Sequence, residues 1–180
     1  MFLDINTSDC QMKLVYELAT ELERDPEHVK LVQGLTLDAN RPLLGLKGTH
    51  GLFGSPQWWA NVRESFEERR GWFKRLMTSS IKTEVKSGLI VDTYFAGQDA
   101  RWGDQVNTFD LKLEDGTILS EGIYPKLKSD RKLFVRGAKV SIAYVLDELK
   151  RRDANGRPQY SNIVLEMAVS TKPVRHELQG

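Results

Sequence analysis

The stretch Ile81-Lys82-Thr83-Glu84-Val85-Lys86-Ser87-Gly88-Leu89-Ile90-Val91 decides the fold. Ile81, Thr83 and Val85 alternate with Lys82, Glu84 and Lys86, the period of two that puts one set of side chains on each face of a strand. Gly88 interrupts this alternation and Leu89-Ile90-Val91 resumes it, so one long strand bent at a glycine is expected. The same period returns downstream. Phe109, Leu111 and Leu113 alternate with Asp110 and Lys112, and Glu114-Asp115-Gly116-Thr117 then forms a hairpin turn into Ile118 to Tyr124. Gly137 opens a fourth strand through Val140, Ile142 and Tyr144. Ala154-Asn155-Gly156 reverses the chain into a fifth strand carrying Ile163, Leu165, Met167 and Val169. Five strands without intervening helices exclude a parallel α/β sheet. They predict a small antiparallel barrel of OB-like or SH3-like type, over residues 80–172.

Before residue 80 the spacing is mostly helical. Ser8 and Asp9 suit the cap of a helix bearing Leu14, Val15, Leu18 and Leu22. Asp25-Pro26 starts a second helix, with Val29, Leu31 and Val32 as a short apolar face before Gly34. Ser55-Pro56 is the strongest start signal, opening a helix through Trp58, Trp59, Val62 and Phe66 to about Arg70. The expected class is α+β: helices over 1–79 packed on the barrel, with a polar tail at 173–180.

Gly45, Gly48, Gly51 and Gly54 recur at every third position ahead of that helix. A phosphate cradle would need a preceding buried strand and either a Lys-Ser/Thr ending or closely spaced glycines, all missing here. The glycines instead predict a loop whose backbone comes close to the barrel while the two tryptophans pack. Trp58 and Trp59, about 100° apart around the helix, divide between core and surface. Phe53 is expected beside them.

Composition narrows the chemistry. The 180 residues are enough for a core without disulfides, and a net charge of +1 gives no global pull toward nucleic acid or lipid. Cys10 is the single cysteine, which suits a reducing cytoplasmic setting, and no leader or membrane-span pattern is present. His28, His50 and His176 show no ligand spacing, so no metal or cofactor is expected. The carboxylate pairs Glu67-Glu68 and Asp147-Glu148 read as a solvated helix face and a strand end, and no catalytic residue is assigned.

One cluster is suggestive. Lys126, Lys128, Arg131, Lys132, Arg136 and Lys139, opposed by Asp130, lie between Tyr124 and Phe134. A second basic group is Lys150, Arg151, Arg152 and Arg157. Basic loops beside aromatics grip single-stranded nucleic acid on OB-type barrels, although Asp92, Asp99, Asp104, Asp110, Glu114 and Asp115 would repel phosphate.

The run Gly51-Leu52-Phe53-Gly54-Ser55-Pro56-Gln57-Trp58-Trp59-Ala60-Asn61, followed by Gly88-Leu89-Ile90-Val91, resembles uncharacterised bacterial proteins with a Phe/Leu-Gly-Ser-x-x-Trp-Trp element ahead of a small β-domain. The resemblance covers about residues 50 to 150. It implies a bacterial setting and the two-part layout, and it brings no catalytic residue. The leading expectation is a non-enzymatic protein-binding module, regulatory or immunity-like by analogy, contacting another protein through Trp58, Trp59, Tyr124 and Phe134. A nucleic-acid binder using the basic connection, and an enzyme with no visible motif, stand as alternatives.

Overall fold

The computed structural model describes residues 1–6, 9–41, 45–71, 81–97 and 106–174. Its elements run β1 (Met12–Glu17), α1 (Leu18–Arg24), α2 (Pro26–Leu37), α3 (Pro56–Arg70), β2 (Lys82–Tyr94), β3 (Thr108–Leu113) and β4 (Ile118–Gly122). A 3-10 helix (Lys128–Leu133), β5 (Lys139–Arg152) and β6 (Pro158–Ser170) follow. The strands form one six-stranded sheet in the order β1-β6-β5-β2-β3-β4, with every neighbouring pair antiparallel.

The barrel expectation is therefore corrected. The five expected strands are present, but β1 and β4 end an open sheet. β2 explains the geometry. Its first half pairs with β5 and its second half with β3, and the two ladders overlap at Gly88 and Leu89. A Cβ built on Gly88 would lie 2.3 Å from the Lys112 carbonyl oxygen, so glycine is what lets β3 approach at the crossover. The strand also shifts register between Ile90 and Asp92.

The first helix is corrected too. Leu14, Leu18 and Leu22 suggest one helix, yet Met12–Glu17 is a strand against β6 and only Leu18–Arg24 coils. Lys13-Leu14-Val15-Tyr16 contains β-branched and aromatic side chains that suit a pleated surface. Strand alternation puts Val15 in the opposite core from Met12, and the register shifts between Leu14 and Tyr16. The other two helices start where expected. The Asp25 side chain accepts from His28 N at 3.0 Å, and Ser55 accepts from Trp58 N at 3.2 Å. α2 runs through Gly34 to Leu37 rather than stopping before it.

The sheet buries both faces. Trp58, Val62 and Phe66 of α3 pack with Ile81, Ala143, Val145 and Leu165 on one side. Ile123, Phe134 and Ala138, from the connection after β4, close over Phe109, Leu111 and Ile142 on the other. Lys126 N donates to Val15 O at 2.7 Å, so that connection also ties down the β1 edge. Ser8, Asp99, Asp104 and His176, with most of the expected tail, lie outside the described residues.

Candidate functional site

The site is built on α3. Trp58 is fully buried, and its indole N–H donates to Asp147 Oδ2 at 2.8 Å. Phe53 meets the Trp58 ring edge-on at 5.3 Å, and Ser65 and Thr83 share a 2.8 Å hydroxyl hydrogen bond. Arg69 donates to the Thr83 carbonyl. Gly45, Gly48, Gly51 and Gly54 all have positive φ. At Gly51 a Cβ would sit 2.8 Å from Trp58 N, so the glycine loop folds directly onto the start of α3. The approach expected toward the barrel strands is therefore mostly an approach to the helices, with the loop meeting β5 where Gly45 O accepts from Lys150 N at 3.2 Å. Asp147 and Glu148 are not at a strand end: both lie within β5, and Asp147 is buried. Burial raises the Asp147 pKa, and the hydrogen bond from Trp58 and the charge of His50 act against that rise.

Trp59 points elsewhere. Half-buried, it stands perpendicular to Trp58 at 4.9 Å between ring centres and lies parallel to Phe2 at 6.4 Å. Phe2 also touches Phe66 at 4.7 Å. The N-terminal segment is fixed there by a buried carboxylate: Glu166 Oε2 accepts from Phe2 N at 2.7 Å and Leu3 N at 2.8 Å. Arg70 donates to Phe2 O at 2.5 Å. Trp59, Phe2 and Phe66 thereby line a cleft of about 560 Å³. Glu17 and Glu23 reach it from the β1–α1 side, and Arg63 and Glu67 from α3.

The other predicted residues are dispersed. Phe134 is buried against Phe109 at 5.4 Å. Tyr124 keeps 39% of its surface and meets Tyr16 edge-on at 5.0 Å. Tyr124 and Tyr144 donate to the two oxygens of Glu121 at 3.0 and 2.7 Å. Burial first, then the Glu121 charge and hydrogen bond, hold the Tyr124 phenol above its ordinary pKa. Tyr144 shifts the same way, and Tyr16 is pushed up to about 12 by burial and by Glu21 and Glu121. All three phenols stay neutral near pH 7.

The basic cluster is partly committed. Lys139 pairs with Asp9 at 2.6 Å, which raises its pKa, and Arg131 holds the carbonyls of Val106 at 2.7 Å and Ile123 at 3.4 Å. Asp130 is buried on Lys13 at 2.6 Å. Lys126, Lys128, Lys132 and Arg136 are exposed. In the second group Lys150 binds the carbonyls of Leu35 at 2.7 Å and Asp38 at 3.2 Å, a cation at the C-terminus of α2.

Phe2, Glu17, Glu23, Arg63 and Glu166 went unmarked in the sequence. Arg63 and Glu67 could have been found, one and two further turns from Trp59 along the helix. Phe2 and Glu166 meet only through the tertiary fold.

A search of the curated proteins gives no match. The model of a family described as immunity protein RhsI2 matches residues 12–170, from the first residue of β1 to the last of β6. The family's description supports a protein-binding role, and on this match the chain belongs to the immunity protein RhsI2 family.

Proposed function

We propose that the chain neutralises a toxin by direct binding in the cytoplasm, and that the partner docks on the cleft beside Trp59. The observation that supports this reading is the half-exposed indole held between Trp58 and Phe2. Such an anchor is already immobilised, so binding costs little ordering entropy, and tryptophan dominates many interfaces. Trp58 and Phe134 act from the core by positioning the surface. Trp59 makes contact, and Tyr124 extends the surface beyond the β1 edge. Cys10 directs its thiol onto Met12 Sδ at 3.6 Å.

The test is co-expression with a candidate partner toxin, followed by titration calorimetry on the purified pair. The wild-type chain is expected to protect the cells and to form the complex. Trp59→Ala is expected to weaken the complex by about 30-fold, the ~2 kcal/mol typical of an aromatic anchor. Failure of the wild-type chain to bind would overturn the immunity reading. Unchanged affinity of Trp59→Ala would move the docking face elsewhere.

A further inference from the structure

The cleft specifies what enters it. Its aromatic lining of Phe2, Trp59 and Phe66 is rimmed by charges that the fold does not use. Among the described residues, Glu17, Glu23 and Glu67 make no ion pair and no side-chain hydrogen bond. Glu166, at the inner end, is already committed to the amides of Phe2 and Leu3. On the cationic side, Arg70 is turned onto the Phe2 carbonyl. Arg63, Arg70 and the Met1 ammonium, 3.8 Å from Glu166, stand against the four carboxylates of Glu17, Glu23, Glu67 and Glu166, so the cleft keeps a net negative charge.

That balance selects the occupant. A neutral apolar side chain would fill the lining but strip water from the carboxylates without replacing it, which is costly for a charged group. An acidic side chain would add repulsion. A cation satisfies both features, because it pairs with carboxylates at the rim and is attracted to the π-faces. A guanidinium fits the combination best, being planar enough to stack and forked enough to take a carboxylate on two N–H groups. Resting on the proposed docking of a toxin at Trp59, we infer that this cleft receives a cationic side chain of the partner protein, laid on the aromatic lining and paired with Glu17, Glu23 or Glu67.

Two experiments test this, one without the partner. The indole N–H of Trp59, assigned by Trp59→Phe in the ¹⁵N-labelled chain, is followed by NMR during titration with N-acetylargininamide. N-acetyllysinamide separates guanidinium from ammonium, and N-acetylglutaminamide is the neutral control. A saturable shift at the Trp59 indole is expected, with a dissociation constant on the order of millimolar, as befits a single side chain. It should be absent with the neutral probe and lost in the Glu17→Gln/Glu23→Gln/Glu67→Gln variant. These positions are exposed or half-buried, and resonances remote from the cleft report whether the variant keeps its fold. Equal shifts from cationic and neutral probes, or a titration unaffected in the triple variant, would overturn the inference.

The second experiment uses the toxin. Glu23→Lys/Glu67→Lys should weaken the complex by about 100-fold, and wild-type affinity should fall with rising salt. A toxin that binds wild-type and reversed-charge chains equally, at all salt concentrations, would overturn the inference and leave the immunity reading standing. A toxin that ignores the wild-type chain would remove that reading instead, with the NMR titration still deciding the chemistry of the cleft.

Discussion

Asp147 and Trp58 form a pair in which each is buried by the fold and hydrogen-bonded to the other. Trp58→Phe keeps the ring but removes the donor, leaving a buried carboxylate oxygen without it. Chemical denaturation should show a loss of about 3 kcal/mol, near the upper end for an unsatisfied polar group. Asp147→Asn removes the charge and keeps an acceptor. Burial raises the Asp147 pKa, so the folded chain holds this proton more tightly than the unfolded chain. Wild-type stability should therefore fall, relative to Asp147→Asn, as pH rises from the ordinary aspartate value of about 3.9 through the raised folded value, and level off above it. Denaturation midpoints of both proteins between mildly acid and neutral pH measure this, and a difference that stays flat would refute it. At this scale the sequence was informative about the tryptophans, because adjacent helical residues must diverge. It misplaced Asp147, because nothing local reveals that a polar residue near a turn signal faces a buried indole 89 positions away.

Elements were legible where their cause was local. The cap at Ser55, the proline after it and the apolar side of α3 all lie within fifteen residues or so, and that helix runs Pro56–Arg70 as read. Ser55→Ala should cost about 1 kcal/mol by removing the 3.2 Å bond to Trp58 N, measurable as a lowered unfolding midpoint. The alternation of β2 was equally plain, and so was its glycine. Gly88→Ala would drive a methyl group into the Lys112 carbonyl, so it should destabilise by about 2 kcal/mol or more and increase amide exchange along β3. Amide exchange unchanged in Thr108–Leu113 would count against the crossover as described. β1 was illegible because leucines at 14, 18 and 22 imitate a helical stripe, while the strand's true partner lies in β6. Closure was misjudged for a related reason. Strand periodicity reports which face is buried and carries no information about which strands are neighbours.

Across the whole molecule, the pieces flanking α3 come from opposite ends of the chain. Phe2 and Glu166, 164 positions apart, are joined by a hydrogen bond that also shapes the cleft. Glu166→Ala should leave the amides of Phe2 and Leu3 without their acceptor, release the N-terminal segment and weaken toxin binding along with Trp59→Ala. NMR exchange protection at those two amides is the direct check, and retained protection would show that Arg70 and ring packing hold the segment without Glu166. The strand order has a temporal consequence as well. With β6 inserted between β5 and β1, the earliest strand to leave the ribosome waits for the latest before it can pair. Contacts this distant along the chain slow folding, and the partly made sheet meanwhile shows a bare edge to its neighbours. A cell that relies on this binding protein therefore has reason to make it early and store it folded, since a late burst of synthesis would deliver unfinished chains.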